Sequence, residues 1–210
     1  MMFQDRKDAG QKLAQELLRY RGKDAVVLAL PRGGVVLGYE IAKALELPLD
    51  IVVTRKIGHP NNPEYAICAV DEKGELFCNE AEAGSVDQNW LKAEVSRQKN
   101  EAKRRIKVYR DEEKQKELSG KTVILVDDGI ATGLTIHAAL QSILKERPKE
   151  IVVAVPVAPN DVVADLRGKA DDVVTLDNGE HYLGAVGAYY NNFPQVSDGE
   201  VIKLLKQAKK

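Results

Sequence analysis

The chain lacks the features that several classes of protein require. Its 31 basic and 32 acidic residues give a net charge of -1, so no overall basic field favours a nucleic-acid partner. No apolar run approaches the roughly 20 residues of a membrane-spanning helix. The stretch 1–22 is charged and has no signal-peptide core. We therefore expect a cytoplasmic protein without a membrane partner.

Cysteine and histidine are also scarce. The two cysteines, Cys68 and Cys78, lack metal-ligand spacing and are too few for a disulfide framework. We predict that they are two reduced thiols. The three histidines, His59, His137 and His181, are scattered along the chain. The sequence thus predicts no metal cluster built by the protein alone.

What the chain does contain is the composition and pattern of an α/β domain. Of its 210 residues, 44% are hydrophobic and 30% are charged, which suits one globular domain over residues 1–210. Short apolar runs predict strands at 25–30, 49–54, 121–126, 151–157 and 172–176. Helical periodicity predicts helices at 8–20, 35–45, 135–144, 161–167 and 198–206. This alternation predicts a doubly wound, mostly parallel sheet.

The middle of the chain departs from that alternation. Residues 55–63 are rich in glycine, proline and asparagine and predict a loop. The runs 65–70 and 75–78 could pair as a hairpin. Residues 80–118 form a charged helical segment, with one long helix or two shorter ones over 87–118. Its basic residues could contact phosphates, but the interspersed carboxylates are typical of a solvated helix, so a nucleic-acid partner is disfavoured.

The most informative segment is the run from Val123 to Thr135. Four apolar residues, predicted to be a buried strand, end in the adjacent carboxylates Asp127 and Asp128. Open α/β sheets bind their ligands at this carboxyl edge. The following loop offers backbone N–H groups and the hydroxyls of Thr132 and Thr135 at a helix start, which suits an anion. The run therefore predicts a sugar-phosphate site, with carboxylates for ribose hydroxyls beside a cradle for the 5′-phosphate.

A second segment, Leu30 to Gly34, follows the first predicted strand. The Arg32 guanidinium beside Gly33 and Gly34 can bring both charge and bare backbone against a pyrophosphate. The alternative is a plain turn into a helix.

A third segment, Thr54 to Gly58, follows the second predicted strand. Arg55 and Lys56 are followed by loop-forming residues, which favours a mobile, positively charged flap able to close over a leaving group. The alternative is a solvated hairpin with both cations on its surface.

The run 123–135 resembles the 5-phosphoribosyl 1-pyrophosphate (PRPP) motif of the type I phosphoribosyltransferases. Four further segments look like the bacterial and archaeal "predicted phosphoribosyltransferase" family: 30–36, 55–58, 62–67 and 193–198. The resemblance implies the type I fold with a flexible hairpin loop. It also implies a C-terminal hood over 178–210, with the segment 80–118 as a charged insertion.

The resemblance also implies a reaction. The 5-phosphoribosyl group of PRPP would pass to a nitrogen of a nucleobase-like acceptor, with release of pyrophosphate. A sensor of PRPP or a nucleotide with the same fold, without catalysis, stays open, as does a homodimer. A phosphatase using Asp127 as nucleophile is disfavoured, because the loop suits phosphate binding better than an aspartyl-phosphate site.

Residue roles follow from the same resemblance. Asp127 and Asp128 would hold the ribose hydroxyls and also Mg²⁺, through water or PRPP hydroxyls, and are catalytic together with Arg32. The 5′-phosphate would be held by Gly129, Ile130, Ala131, Thr132, Gly133, Leu134 and Thr135. The pyrophosphate would be held by Arg32, Gly33, Gly34, Arg55 and Lys56.

Two further expectations concern local structure. The family often has a cis or strained peptide in the pyrophosphate loop, which here matches Arg32 and Gly33. Tyr189, Tyr190 and Phe193 could stack on a flat base or simply pack in the core, and core packing is favoured for each ring taken alone. No acceptor motif of the purine or pyrimidine enzymes is recognisable.

Overall fold

The computed structural model of the protein describes residues 2–110, 115–177 and 182–209. In chain order its helices and strands are α1 (Arg6–Glu16), β1 (Ala25–Ala29), α2 (Gly33–Leu45), β2 (Leu49–Ile51), β3 (Thr54–His59), β4 (Asn62–Asp71), β5 (Leu76–Cys78), α3 (Glu80–Ser85), α4 (Gln88–Arg110), β6 (Thr122–Val126), α5 (Leu134–Leu144), β7 (Glu150–Val155), α6 (Asn160–Arg167), β8 (Asp172–Thr175) and α7 (Asp198–Gln207).

The main sheet has five strands in the order β2-β1-β6-β7-β8. Every neighbouring pair is parallel. From β1 the chain moves outward to β2, and from β6 it moves the opposite way to β7 and β8. The carboxyl ends of β1 and β6 therefore form the switch point of the sheet, where doubly wound folds bind ligands. The predicted fold class is confirmed.

Both faces of this sheet are covered, which explains why its strands are apolar throughout. Every residue of β1 and of β6 is buried. Side chains of α1, α2 and α7 pack on one face, and those of α5 and α6 pack on the other. Strands buried on both faces appear in sequence as continuous apolar runs rather than alternating ones.

A second sheet, the antiparallel β3-β4-β5, stands apart from the first. The predicted hairpin between residues 65–70 and 75–78 is confirmed by the pairing of β4 with β5. The predicted loop over 55–63 is wrong, because β3 pairs with β4 from Thr54 opposite Asp71 to His59 opposite Asn62. Register shifts beside Gly58 accommodate the residues that suggested a loop. The second predicted strand is correspondingly shorter than 49–54 and ends at Ile51.

The prediction of two reduced thiols is also wrong in this structure. Cys68 and Cys78 lie directly opposite each other on β4 and β5, with Cα atoms 4.0 Å apart, and are joined by a disulfide. They are 10 residues apart in sequence, and only the register of the hairpin places their side chains together. Spacing alone could not show this.

The charged segment 80–118 contains two helices, α3 and the longer α4. Helix α4 connects two cores, because Leu91 and Val95 pack against the hairpin sheet while Ala102 and Tyr109 pack against the main domain. Glu101 and Arg105, four residues apart on α4, form an ion pair at 2.9 Å. The same spacing relates Glu112 to Lys116, and Glu112 lies outside the described residues.

The N-terminal residue Phe3 pairs with the segment 189–191, which precedes α7. The Phe3 amide donates to the Tyr189 carbonyl at 2.8 Å, and the Asn191 amide donates to the Phe3 carbonyl at 2.9 Å. His181 lies outside the described residues. Within 2–110, 115–177 and 182–209, no helix is long and apolar enough to cross a membrane.

Candidate functional site

A cavity of about 190 Å³ lies at the carboxyl end of β6. It is lined by Lys56, Asp127, Gly129, Ile130, Ala131, Thr132, Gly133, Thr135, Ile136 and Val186. The structure thus brings together Asp127, Lys56 and most of the predicted phosphate loop. Leu134, also predicted, is not among the lining residues and begins α5 instead.

The loop that lines this cavity ends at the start of a helix. Gly133 precedes α5 with a φ of 78°, and no side chain caps the helix there. The first amides of a helix have no partners within it and favour an anion. A Cβ at Gly133 would also lie 2.9 Å from Val162 Cγ1. Glycine therefore meets both a conformational and a packing requirement at this position.

The two carboxylates of the site differ in their surroundings. The Asp128 amide donates to Asp127 Oδ1 at 2.8 Å. Burial, and next the charge of Asp128, raise the pKa of Asp127 well above its ordinary value. Asp127 therefore holds its proton more readily than an exposed aspartate would.

Asp128 has a cationic partner that the sequence did not reveal. Arg6, at the start of α1, donates from Nε to Asp128 Oδ2 at 2.7 Å and from its terminal nitrogen to the Pro194 carbonyl at 2.6 Å. Its guanidinium also lies 3.7 Å from the centre of the Phe193 ring. Arg6 and Asp128 are 122 residues apart, and in the sequence Arg6 is only one more charge in an amphipathic stretch. No local signal could have identified it.

The acidic pair, Asp127 and Asp128, leaves no room for a side chain at Gly33 or Gly34 in the turn 31–34. A Cβ on Gly33 would lie 1.9 Å from Asp128 Oδ2, and one on Gly34 would lie 2.9 Å from the Asp127 Cα. The turn contains the expected unusual peptide, a cis bond joining Pro31 to Arg32. The two loops that leave β1 and β6 are therefore in direct contact.

The neighbouring cations Arg55 and Lys56 of β3 both line a cavity beside α4, but they differ in their other contacts. Lys56 lines the loop cavity. Arg55 instead donates to Gln98 Oε1 on α4 at 2.9 Å. Arg32 has its terminal nitrogen 3.7 Å from Asp198 Oδ1, at the start of α7. The structure thus brings Lys56 to the predicted phosphate site and directs Arg55 towards the charged helix.

The aromatic residues near the site serve mainly as support. Tyr190 is buried, and its hydroxyl donates to the Asp128 carbonyl. Burial, and next Asp128, raise the pKa of that hydroxyl above its ordinary value. Tyr189 is also buried, and Phe193 packs against Arg6. Tyr189 and Tyr190 are therefore core residues, which agrees with the core packing that the sequence analysis favoured for each single ring.

The donor set suits a metal that keeps water and substrate ligands. Within the described ranges, no group of three or more His, Cys, Asp or Glu side chains is arranged to hold an ion. Asp127 and Asp128 supply carboxylate oxygens, but Arg6 already occupies one of them. Mg²⁺ commonly takes one or two carboxylates and completes its octahedron with water and substrate phosphates, so these residues fit that ion.

Comparison with known proteins identifies the family. The family described as "Phosphoribosyl transferase domain" matches residues 3–192 of the chain. The chain belongs to this family. Two strains of Mycobacterium tuberculosis have relatives named "Putative phosphoribosyl transferase", each 42% identical over 209 residues. The match covers 99% of this chain and 47% of each relative, so the chain spans about half the length of these relatives.

A solved structure is similar to this chain over nearly its whole length. The crystal structure of TT1426 from Thermus thermophilus is 42% identical, with a TM-score of 0.81, and the match covers 99% of both chains. The switch-point site described above therefore lies in a phosphoribosyl transferase domain.

Proposed function

We propose that the protein is a phosphoribosyltransferase that binds PRPP with Mg²⁺ and transfers the 5-phosphoribosyl group to a nitrogen of a nucleobase-like acceptor, releasing pyrophosphate. The observation that carries the proposal is the cavity at the start of α5, where an uncapped helix terminus lies beside Asp127 and Lys56. Backbone donors for a phosphate and carboxylates for ribose hydroxyls are combined at one switch point.

The loop from Gly129 to Thr135 receives the 5′-phosphate in this proposal. The uncapped N–H groups at the start of α5 supply donors for it, whereas the Ile130 amide already donates to the Val157 carbonyl at 2.9 Å. The hydroxyls of Thr132 and Thr135 add two further groups at the same cavity. Asp127 and Asp128 accept hydrogen bonds from the ribose hydroxyls and place negative charge near the cationic sugar of the transition state.

The diphosphate leaving group lies on the side of the β1 loop. The Arg32 side chain and the backbone of Gly33 and Gly34 bind it there, and Lys56 approaches from β3. Catalysis is then positioning and electrostatic stabilisation without a covalent nucleophile. Arg55 contributes from the α4 side, where it donates to Gln98.

Mg²⁺ would be held by the oxygens of Asp127 and Asp128, directly or through water, together with substrate oxygens. When bound, the ion supplies positive charge that offsets the charge of the departing diphosphate. Arg6 restrains Asp128 through their ion pair at 2.7 Å, so the carboxylate keeps its orientation before substrate binds. The acceptor would enter beneath a hood formed by the C-terminal segment 178–210, of which residues 178–181 and 210 lie outside the described residues.

Calorimetric titration of PRPP in the presence of Mg²⁺ tests the proposal. We expect micromolar binding by the wild-type protein and its loss in Asp127→Asn/Asp128→Asn. A control variant, Asp24→Asn/Asp161→Asn, removes the same charge from two exposed positions and should bind normally. Failure of the folded wild-type protein to bind PRPP would refute the proposal.

A screen of nucleobases for pyrophosphate release then tests turnover. Release that depends on one base and on Asp127 and Asp128 would support the transferase. Tight PRPP binding without release by any base would instead favour the sensor of the same fold.

A further inference from the structure

The phosphate loop, residues 129–135, is held at both of its ends by a single segment, residues 157–165. At the start of the loop, the Ile130 amide donates to the Val157 carbonyl at 2.9 Å. The segment follows β7 and continues into α6. Helix α6 is anchored in the main domain, because Val163 is buried in the core on that face of the sheet. The loop is therefore tied to the parallel-sheet core.

The far end of the loop meets α6 at Gly133. A Cβ at this position would lie 2.9 Å from Val162 Cγ1 and 3.4 Å from His137 Nε2, so the loop backbone packs closely against both side chains. His137 lies one helical turn further along α5, and its amide donates to the Gly133 carbonyl at 2.9 Å. The imidazole thus lies next to the residue at which the uncapped helix terminus begins.

The orientation of the His137 ring depends on one hydrogen bond. Its Nε2 lies 2.8 Å from Asp165 Oδ2 on α6, and Nε2 carries the proton of the neutral ring because an ionised carboxylate only accepts. Burial, and next the charge of Lys169, lower the pKa of His137 from its ordinary value, so the ring is neutral at pH 7. Its Nδ1 is buried and has no hydrogen-bond partner among the described residues.

Asp165 is an ionised acceptor on the surface of α6. The hydrogen bond from Lys169, at 2.8 Å, lowers the pKa of Asp165 from its ordinary value. A hydrogen bond to an ionised acceptor is stronger than one between neutral groups. The Asp165 side chain is 48% exposed and that of Lys169 is 42% exposed. Both can therefore be replaced without opening the core.

We propose that His137 is a positioning residue for the 5′-phosphate and acts through Gly133. Its hydrogen bond to Asp165 fixes the first turn of α5 against α6, so the uncapped amides of that turn are already ordered when the phosphate binds. A loop that must first be ordered binds its ligand more weakly, because the ordering costs entropy. The identity of the ligand as a 5′-phosphate rests on the function proposed above.

The test compares His137→Ala and Asp165→Ala with His137→Gln. Calorimetry measures the affinity of each variant for ribose 5-phosphate and for inorganic pyrophosphate. We expect the two alanine variants to bind ribose 5-phosphate about 10-fold more weakly, as for the loss of one hydrogen bond to a charged group. Glutamine keeps an amide N–H near the position of Nε2, so His137→Gln should bind within about 2-fold of the wild-type protein.

Pyrophosphate separates positioning from a general loss of structure. Its binding groups are proposed to lie on the β1 loop and β3, so its affinity should be unchanged in all three variants. The double variant His137→Ala/Asp165→Ala should bind ribose 5-phosphate no more weakly than either single variant, because both substitutions break the same bond. The matched control, Lys169→Met, removes another partner of the Asp165 carboxylate and should leave both affinities unchanged.

The outcomes separate this inference from the proposed function. If the alanine variants bind ribose 5-phosphate as tightly as the wild-type protein, the role of His137 is wrong while the transferase proposal stands. Equal weakening of ribose 5-phosphate and pyrophosphate would also refute positioning. If ribose 5-phosphate binds and depends on His137 but PRPP does not bind, the positioning role stands and the transferase proposal fails. If the folded wild-type protein binds neither sugar phosphate, both proposals fail.

Discussion

The two halves of this molecule assemble their charged groups in different ways. In the parallel-sheet half, the candidate phosphate loop and the acidic pair come from residues 127–135, which are consecutive. In the hairpin half, the cations that line the cavities beside α4 come from Arg55 on β3 and from Arg97 and Arg104 on α4. A site built from consecutive residues can be recognised in a sequence, whereas one assembled from separate elements needs the fold.

The halves also differ in how they are stabilised. The strands β1 and β6 are buried along their whole length, and the Arg6–Asp128 ion pair beside them is mostly buried. The hairpin half has a small separate core, which includes Ile57, Ile67 and Leu91. Many of its ion pairs are exposed, and such pairs contribute little. Substitutions should therefore affect the two halves differently.

The largest effect is expected from Arg6→Met, which leaves Asp128 without its cation. The side chains of Arg6 and Asp128 are only 10% and 17% exposed, so removing one partner should lower the free energy of unfolding by about 3 kcal/mol. Urea unfolding measures the change. Lys12→Met removes the exposed partner of Asp8 and should cost less than about 0.5 kcal/mol. Equal losses of unfolding free energy in the two variants would show that the buried ion pair stabilises the fold no more than the exposed one.

A somewhat smaller effect is expected from Cys78→Ser in the hairpin half. Closing a chain segment of this length should stabilise the oxidised protein by about 2–3 kcal/mol, because the unfolded chain is restricted. The loss should appear only without reductant, since excess dithiothreitol opens the disulfide in the wild-type protein as well. Thiol counting by mass spectrometry checks the redox state. Two free thiols in the oxidised wild-type protein would contradict the pairing of Cys68 with Cys78.

Gly33→Ala should destabilise the parallel-sheet half by about 1–3 kcal/mol, because the new methyl group would overlap the Asp128 carboxylate. PRPP affinity should fall with it. Gly84→Ala, in α3, meets no atom within 4 Å and should be neutral or stabilise by up to about 1 kcal/mol. Thermal unfolding of both variants is the measurement. A tolerated Gly33→Ala would mean that the two loops separate more easily than their contact suggests.

The smallest effect concerns acid stability in the hairpin half. The hydrogen bond from Arg104, followed by that from Arg105, lowers the pKa of Glu101 to about 2. A carboxylate with a lowered pKa stabilises the fold above its unfolded pKa, and this contribution is lost as the pH falls towards the folded value. Glu101→Gln should therefore show a shallower loss of stability than the wild-type protein between about pH 4.5 and 2. Denaturation midpoints of both proteins across this pH range are the measurement. If the midpoints of the variant and the wild-type protein fall with pH at the same slope, the ion pairs of Glu101 are too exposed to stabilise the fold.

Several features of the fold were predictable because they depend on local patterns. The apolar runs of β1, β6 and β7 predicted a parallel sheet, since strands covered on both faces must be apolar throughout. The hairpin between β4 and β5 was also predictable. The pairing of β3 was not, because its composition resembles a loop and the strand forms only against its partner.

The sequence by itself determined the apolar strands of the parallel sheet, the positions of the acidic pair and the glycines that follow those strands, and the loop from Gly129 to Thr135. All of these features depend on residues that are close together in the chain. Only the tertiary structure decided that Arg6 binds Asp128 and that Cys68 bonds Cys78. It also decided that Lys56 lines the loop cavity and that Arg55 donates to Gln98 on α4. These contacts depend on strand register and on how helices pack, and long side chains are directed by the neighbours they meet rather than by the residues beside them in sequence.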